Sequence, residues 1–298
     1  MQLRTLQTGL FKFSVESDIA SFFADFNRMY ADYPVLSSQQ FVDFEISIHH
    51  SRYLRRVVKP QANFSLAGVY PFKPLPVNQA YAMLEWGMNW CIAQHAHHYH
   101  MLHAAVIEKN GVGIVMPADS GSGKSTLTAA LMSQGWRLLS DEIALINLSD
   151  GLLHPLAKPI NLKNTSIDIL RDFYPDEQFS SVAYDTHKGT VALLKASDIS
   201  IEQMKRPCQL KHFVFPRYLA NAGATLSEVS LPDAFKRIID SSFNYSILGE
   251  KAFTQVCDLL QTAKTYSFTY SDFDQAFRIF DDLAQGVKLE SSVTQSAD

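Results

Sequence analysis

Two apolar runs, Met101–Glu108 and Val112–Pro117, are separated by Lys109-Asn110-Gly111. Asn-Gly between such runs predicts a β-hairpin, because both turn positions need positive φ. With Asn110 and Gly111 as the turn, Lys109 pairs with Val112, and the same register sets His103 opposite Ala118. Leu127 to Gln134 has helical character and is closed by Gly135 as a C-cap. Trp136 to Ser140 then reads as a strand parallel to Val112–Pro117, completing a βαβ unit. Upstream, the pattern predicts a strand over 9–15, a helix over 18–30 and a strand over 41–49. Prolines 71, 74 and 76 interrupt it, and a helix from Asn78 as N-cap to about His98 follows.

The turn from strand to helix carries the most informative chemistry. Residues 118–126 read A-D-S-G-S-G-K-S-T. Apart from its first position, this is a phosphate-binding loop. Gly121 and Gly123 let the backbone curl so that N–H groups, with those of Asp119, Ser120, Ser122 and Thr126, surround a polyphosphate. Lys124 reaches the outer phosphates, and the Ser125 hydroxyl is placed to ligate Mg²⁺. Ala118 replaces the first glycine, which is tolerable where φ is negative. A loop between strand and helix also presents the helix N-terminus to an anion.

Composition narrows the alternatives. The chain has 298 residues, 47% hydrophobic and 19% charged, with a formal net charge of −4. That is ordinary globular composition without global attraction to nucleic acid or an anionic membrane. No apolar run is long enough to span a bilayer, and the first residues lack the apolar core of a signal peptide. Cys91, Cys208 and Cys257 are scattered, so neither a disulfide framework nor a zinc site is expected. These features predict a cytoplasmic protein. The expected organisation is a small α+β region over 1–76, a nucleotide-binding domain over 77–286 and a disordered polar tail over 287–298.

Asp141 and Glu142 directly follow the strand 136–140, at the sheet edge where the loop is expected. Two such carboxylates can divide the work, one holding Mg²⁺ and the other accepting a proton from an attacking hydroxyl. Spacing alone leaves their roles unassigned. Further cations stand at Lys158, Lys163 and Lys188, the last in a polar loop Asp185–Gly189 ahead of a strand over 190–194, and either group could supply positive charge to the transferring phosphoryl group. His95, His97, His98, His100 and His103 cluster in sequence, but no carboxylate or cysteine completes a metal site.

His103, the loop at 118–126 and Asp141-Glu142 together resemble the HPr kinase/phosphorylase family, and most closely its HPr-related kinase A group. Further matching texture lies in Glu85-Trp86-Gly87-Met88-Asn89-Trp90, Leu162-Lys163-Asn164, Lys188-Gly189-Thr190, Phe215-Pro216-Arg217-Tyr218 and Phe243-Asn244-Tyr245. The resemblance runs from about residue 60 onward. It implies an α/β fold: a P-loop kinase core with a mixed sheet, like that of phosphoenolpyruvate carboxykinase. It also implies transfer of the γ-phosphoryl group of ATP, with Mg²⁺, to a serine hydroxyl. His103, Lys124, Asp141 and Glu142 would be catalytic, and Ser125, Asp141 and Glu142 would hold the metal. Glu142 stands where the family has Asp, which keeps the chemistry and lengthens the reach by one carbon. Lys188 stands for an arginine, keeping charge without the bidentate fork. The expected partner is a peptide or protein, with the first 76 residues available to hold it or a second subunit. Two other readings use the same loop: an ATPase switch, and a nucleotide-binding module without turnover.

Overall fold

Strands at the centre of the sequence alternate their side chains between two cores rather than between a core and solvent. In the computed structural model, which describes residues 2–36, 40–119 and 121–287, Ala104 and Val106 enter one apolar cluster while Ala105 and Ile107 enter another. A sheet covered on both faces needs apolar residues at every position, which is why these segments read as continuous apolar runs.

In chain order, β1 (Gln2–Thr8), β2 (Phe11–Ser17), α1 (Ala20–Met29), β3 (Phe44–His50), β4 (Gln61–Leu66), β5 (Leu75–Pro76) and α2 (Ala80–His95) come first. They are followed by β6 (Tyr99–Lys109), β7 (Val112–Pro117), α3 (Lys124–Ser133), β8 (Arg137–Ser140), β9 (Ile143–Asn147) and β10 (Leu153–His154). Next come β11 (Ile160–Lys163), α4 (Thr165–Arg171), β12 (Ala183–Thr186), β13 (Gly189–Leu194) and α5 (Asp198–Glu202). The chain continues with β14 (Gln209–Tyr218), β15 (Thr225–Glu228), α6 (Leu231–Asp240), α7 (Tyr245–Leu248), α8 (Glu250–Thr262), β16 (Lys264–Tyr270) and α9 (Phe273–Gln285).

The chain divides into two units, and neither is a continuous segment. The first comprises Met1–His97, Ser140–Glu142 and Pro155–Arg206; the second comprises His98–Leu139, Ile143–His154 and Pro207–Asp298. Pro76, where the sequence suggests a boundary, lies inside the first unit. Most of the tail expected over 287–298 falls outside the described residues.

The first unit holds a sheet in the order β1-β2-β3-β4-β5 and a smaller one in the order β11-β13-β12. Strand β2 (F-K-F-S-V-E-S) buries every second residue, as alternation requires. Helix α1 places Phe22, Phe23, Phe26 and Met29 on one buried stripe. Helix α2 is apolar nearly all round and buried from Ala80 to Ile92 apart from half-buried Trp86, Asn89 and Trp90, with exposure only in its last turn. Gly87 belongs to that burial: a Cβ there would lie 2.0 Å from the Phe64 ring of β4.

The second unit is built on an eight-stranded mixed sheet, β10-β9-β6-β7-β14-β16-β15, with β8 pairing β6. The hairpin register holds from Lys109↔Val112 to Ala104↔Pro117, and Asn110 and Gly111 have φ of 55° and 81°. Beyond Ala104 the ladder changes partner, so His103 pairs with Ile143 of β9 instead of Ala118. Strand β8 is where the sequence puts it, but its neighbour is β6, and the parallel neighbour of β7 is β14. One face of the sheet packs Ala234, Ile238, Val256 and Leu260 of α6 and α8; the other packs Leu127, Leu131, Phe280 and Leu283 of α3 and α9.

Candidate functional site

The phosphate-loop sequence occupies the turn from β7 into α3, within the second unit. The helix begins at Lys124, three residues earlier than the apolar pattern suggests, with Gly123 as N-cap at φ 88°. Gly121 is left-handed as well, at φ 90°, so both glycines are demanded by the backbone. Ala118 is not among the residues of positive φ, and its Cβ is therefore tolerated. Ser120 lies outside the described residues.

Strands β7, β14 and β16 run parallel and end on the same edge as the loop, the edge where open α/β sheets bind ligands. The backbone N–H of Tyr218 at the end of β14 donates to Ser122 O at 2.8 Å. The Tyr270 hydroxyl at the end of β16 donates to Gly123 O at 3.0 Å. A Cβ on Gly123 would meet that hydroxyl at 2.6 Å and Tyr218 Cβ at 2.9 Å. The loop is thus clamped from two neighbouring strands, a feature of pairing order that the motif does not contain.

Lys124 is buried, and its Nζ lies 3.3 Å from His103 Nε2. The hairpin register therefore brings the imidazole to the loop through its lysine, although not opposite Ala118. Phe243 packs edge-on against the His103 ring, with centroids 5.8 Å apart. Ser241 O accepts the His103 backbone N–H at 2.7 Å. Buried Asn244 clips β6 from both sides, Nδ2 donating to Tyr99 O and Oδ1 accepting from Met101 N. Phe243-Asn244-Tyr245 thus positions His103, a link without any sequence signal beyond the motif's texture.

The acidic pair belongs to the first unit, directly after β8 in the chain. Asp141 is buried, and its Oδ2 accepts from the Asn161 backbone N–H at 3.2 Å. Asn89 Nδ2 donates to Glu142 Oε2 at 2.6 Å. Lys188 Nζ lies 3.9 Å from Glu142 Oε1 and 5.2 Å from the centroid of the Trp86 ring. Thr186 sets this turn: its hydroxyl donates to Gly189 O and accepts from Lys188 N. Asn164 N donates to Thr190 O, and Asn164 Oδ1 accepts from Thr190 N, so the two short motifs at 162–164 and 188–190 form one interlocked piece. The His187 ring meets Trp86 at 4.9 Å, and its pKa is lowered by burial first and then by Lys188 and Lys163.

Helix α2 explains Glu85-Trp86-Gly87-Met88-Asn89-Trp90. One turn apart, Glu85 and Asn89 share a face. Asn89 holds Glu142, while Glu85 takes Lys158 Nζ at 3.0 Å and the Tyr30 hydroxyl at 2.5 Å. Lys158 is therefore part of a buried ion pair rather than an exposed phosphate ligand. From sequence Glu85 and Asn89 stand only as matching texture without a role, because an amide or acid inside an apolar helix has no chemical signature of its own.

A cavity of about 20 Å³, enough for one water-sized occupant, is lined by Asp141, Glu142, Asn161, Asn89 and Lys158 among others. Asn161 Oδ1 is buried without a hydrogen-bond partner among the described residues. Oxygen donors of this kind suit Mg²⁺, which takes one or two carboxylates and completes its shell with water and phosphate. Among the described residues, no group of three or more His, Cys, Asp or Glu is arranged to hold a metal ion. His95 instead packs against Phe44 and Trp90, and His100 Nε2 lies 3.0 Å from Ser242 Oγ. No described helix is long and apolar enough to cross a membrane.

Comparison with known proteins gives a short sequence likeness. HPr kinase/phosphorylase from two strains of Clostridium botulinum, Eklund 17B and Alaska E43, is 38% identical to the chain over 52 residues. That stretch is 17% of this chain and 17% of each relative, so it spans about a sixth of the relatives' length. No family model matches. Among solved structures, the Hpr(Ser) kinase/phosphatase from Coxiella burnetii aligns over 62% of this chain and 94% of that chain, with 9% identity and a TM-score of 0.28.

Proposed function

We propose that the protein is a cytoplasmic, ATP- and Mg²⁺-dependent kinase of the HPr-related kinase A type, with a P-loop core, that phosphorylates a serine hydroxyl of a peptide or protein. The observation that carries this reading is the loop itself: two left-handed glycines between strand and helix, with Lys124 Nζ held 3.3 Å from His103 Nε2. A loop that only turned the chain would not require a buried lysine beside an imidazole. The 52-residue likeness to HPr kinase/phosphorylase points the same way.

The N–H groups of 119–126 and the α3 N-terminus hold the phosphates, and Lys124 neutralises the outer ones. Ser125 and Asp141 are the oxygen donors assigned to Mg²⁺, which would screen the charge developing on the phosphates, and Glu142 is kept for the proton. Glu142, oriented by Asn89, takes the proton from the acceptor hydroxyl as its oxygen bonds the γ-phosphorus and the bond to the β–γ bridging oxygen breaks, releasing ADP. Lys188 offers positive charge beside that carboxylate. His103 positions Lys124 and the transferring group. Incubating the protein with γ-labelled ATP, Mg²⁺ and lysate of its own organism should label a polypeptide on serine. A sugar, lipid or metabolite as the sole labelled product would overturn the proposal.

A further inference from the structure

Between β3 and β4 the chain makes an excursion that keeps none of its side chains inside. Residues 52–60 are all exposed, and 52–59 read R-Y-L-R-R-V-V-K. Tyr53 is 90% exposed, Leu54 69%, Val57 78% and Val58 50%. Four exposed large apolar side chains within six residues are the densest such run among the described residues, and a contiguous exposed patch of this kind is where proteins meet partners. Four cations alternate with them in a chain whose net charge is −4.

The segment is also held in shape. Ser51 N donates to Gln61 O at 2.7 Å and closes its base, while Val58 N donates to Leu54 O at 2.8 Å across its tip. Asp18 accepts from His50 N and lies 3.8 Å from Arg56, fixing one flank. Tyr53 and Lys59 have φ of 57° and 48°, and a non-glycine residue in that region costs energy that no apolar burial here offsets.

We propose that this basic, apolar knob docks an acidic segment of a protein partner that carries apolar or aromatic side chains. Three of its four cations are arginines, whose planar forks match carboxylates in pairs. Tyr and Arg are the residue types that dominate protein interfaces. Its only helical piece, Tyr53–Arg56, is a single 3₁₀ turn, too short to lay an amphipathic face into a bilayer. A prefolded knob loses little entropy on binding, which favours a specific partner. As the docking element for the kinase acceptor it rests on the proposed function; as a binding surface it does not.

The test uses the full chain with a fluorescein-labelled random Glu-Tyr copolymer as probe, read by anisotropy, and vesicles of phosphatidylglycerol and phosphatidylcholine in parallel. Wild-type protein is expected to bind the copolymer, more weakly as salt rises. Arg52→Glu with Arg55→Glu should weaken binding at least about tenfold. Tyr53→Ser with Leu54→Ser should weaken it by a similar factor, with thermal midpoint and ATP affinity unchanged. Equal binding by both double variants, or binding to vesicles and not to copolymer, would overturn the proposal. A protein that binds copolymer through the knob but labels no lysate polypeptide with γ-labelled ATP would remove the kinase reading and leave the docking surface standing.

Discussion

The Tyr270 hydroxyl donates to the backbone oxygen of Gly123 at 3.0 Å, tying the last residue of β16 to the N-cap of α3. Burial raises the Tyr270 pKa, so the phenol stays protonated and able to donate. Tyr270→Phe removes one hydrogen bond, about 0.5–1.5 kcal/mol, and leaves the ring packing intact. The expected result is a roughly two- to tenfold loss of ATP affinity by calorimetry with little change in fold. Gly123→Ala, strained in φ and clashing with that same hydroxyl, should be worse than Tyr270→Phe. The reverse ranking would mean the clamp is incidental.

Lys124→Ala should abolish most Mg²⁺–ATP binding, since a buried ammonium beside the loop is the main charge offered to the outer phosphates. His103→Ala should lower turnover more than ATP affinity. Equal ATP affinity in wild type and Lys124→Ala would remove the nucleotide assignment.

Glu142→Gln keeps shape and hydrogen bonding but cannot accept a proton. Phosphoryl transfer should fall by at least about 10²-fold while ATP binding is retained. Asn89→Leu leaves the acid in place and removes its anchor, so an intermediate loss of turnover is expected. Asp141→Asn should raise the Mg²⁺ requirement. Normal turnover by Glu142→Gln would exclude general-base catalysis by this residue.

Lys158→Met tests the buried ion pair. Removing one partner strands the Glu85 carboxylate, at a cost of about 3–5 kcal/mol. Glu85→Gln combined with Lys158→Met should recover part of that loss, as measured by urea denaturation. A Lys158→Met protein of wild-type stability but impaired ATP binding would return Lys158 to the phosphate-ligand role.

Acid should destabilise the protein, most strongly through two of the histidines whose pKa burial lowers. Burial pushes His100 and His212 down from 6.5 to about 4. Between those values the unfolded chain takes up protons that the native state refuses, so stability present above pH 6.5 is lost as pH falls toward 4. Buried His100 contributes a slope of up to about 1.4 kcal/mol per pH unit in that window, and half-buried His212 a smaller one because solvent screens it. Urea midpoints at pH 7, 5.5 and 4.5 measure it, and His100→Gln should flatten the dependence.

Local rules made much of this protein legible from sequence. Asn110-Gly111 sets a turn and a register because few residues accept positive φ. The phosphate loop is readable for the same reason, since Gly121 and Gly123 must be left-handed. Strands β1 and β4 are not marked in the sequence, because their patterns carry no turn or cap signal as strong. Tertiary structure alone decided the rest. A strand's ladder partner is chosen by packing across the whole sheet, so β8 beside β6 and β14 beside β7 could not follow from local alternation. The division into two units is likewise non-local, since each is assembled from three separated segments. The groups that aim the chemistry, Asn89 on Glu142, Phe243 against His103 and Tyr270 on Gly123, lie 53, 140 and 147 residues from their partners. Sequence shows which side chains can react; contacts at that separation exist only once folding has met the entropy of closing such loops.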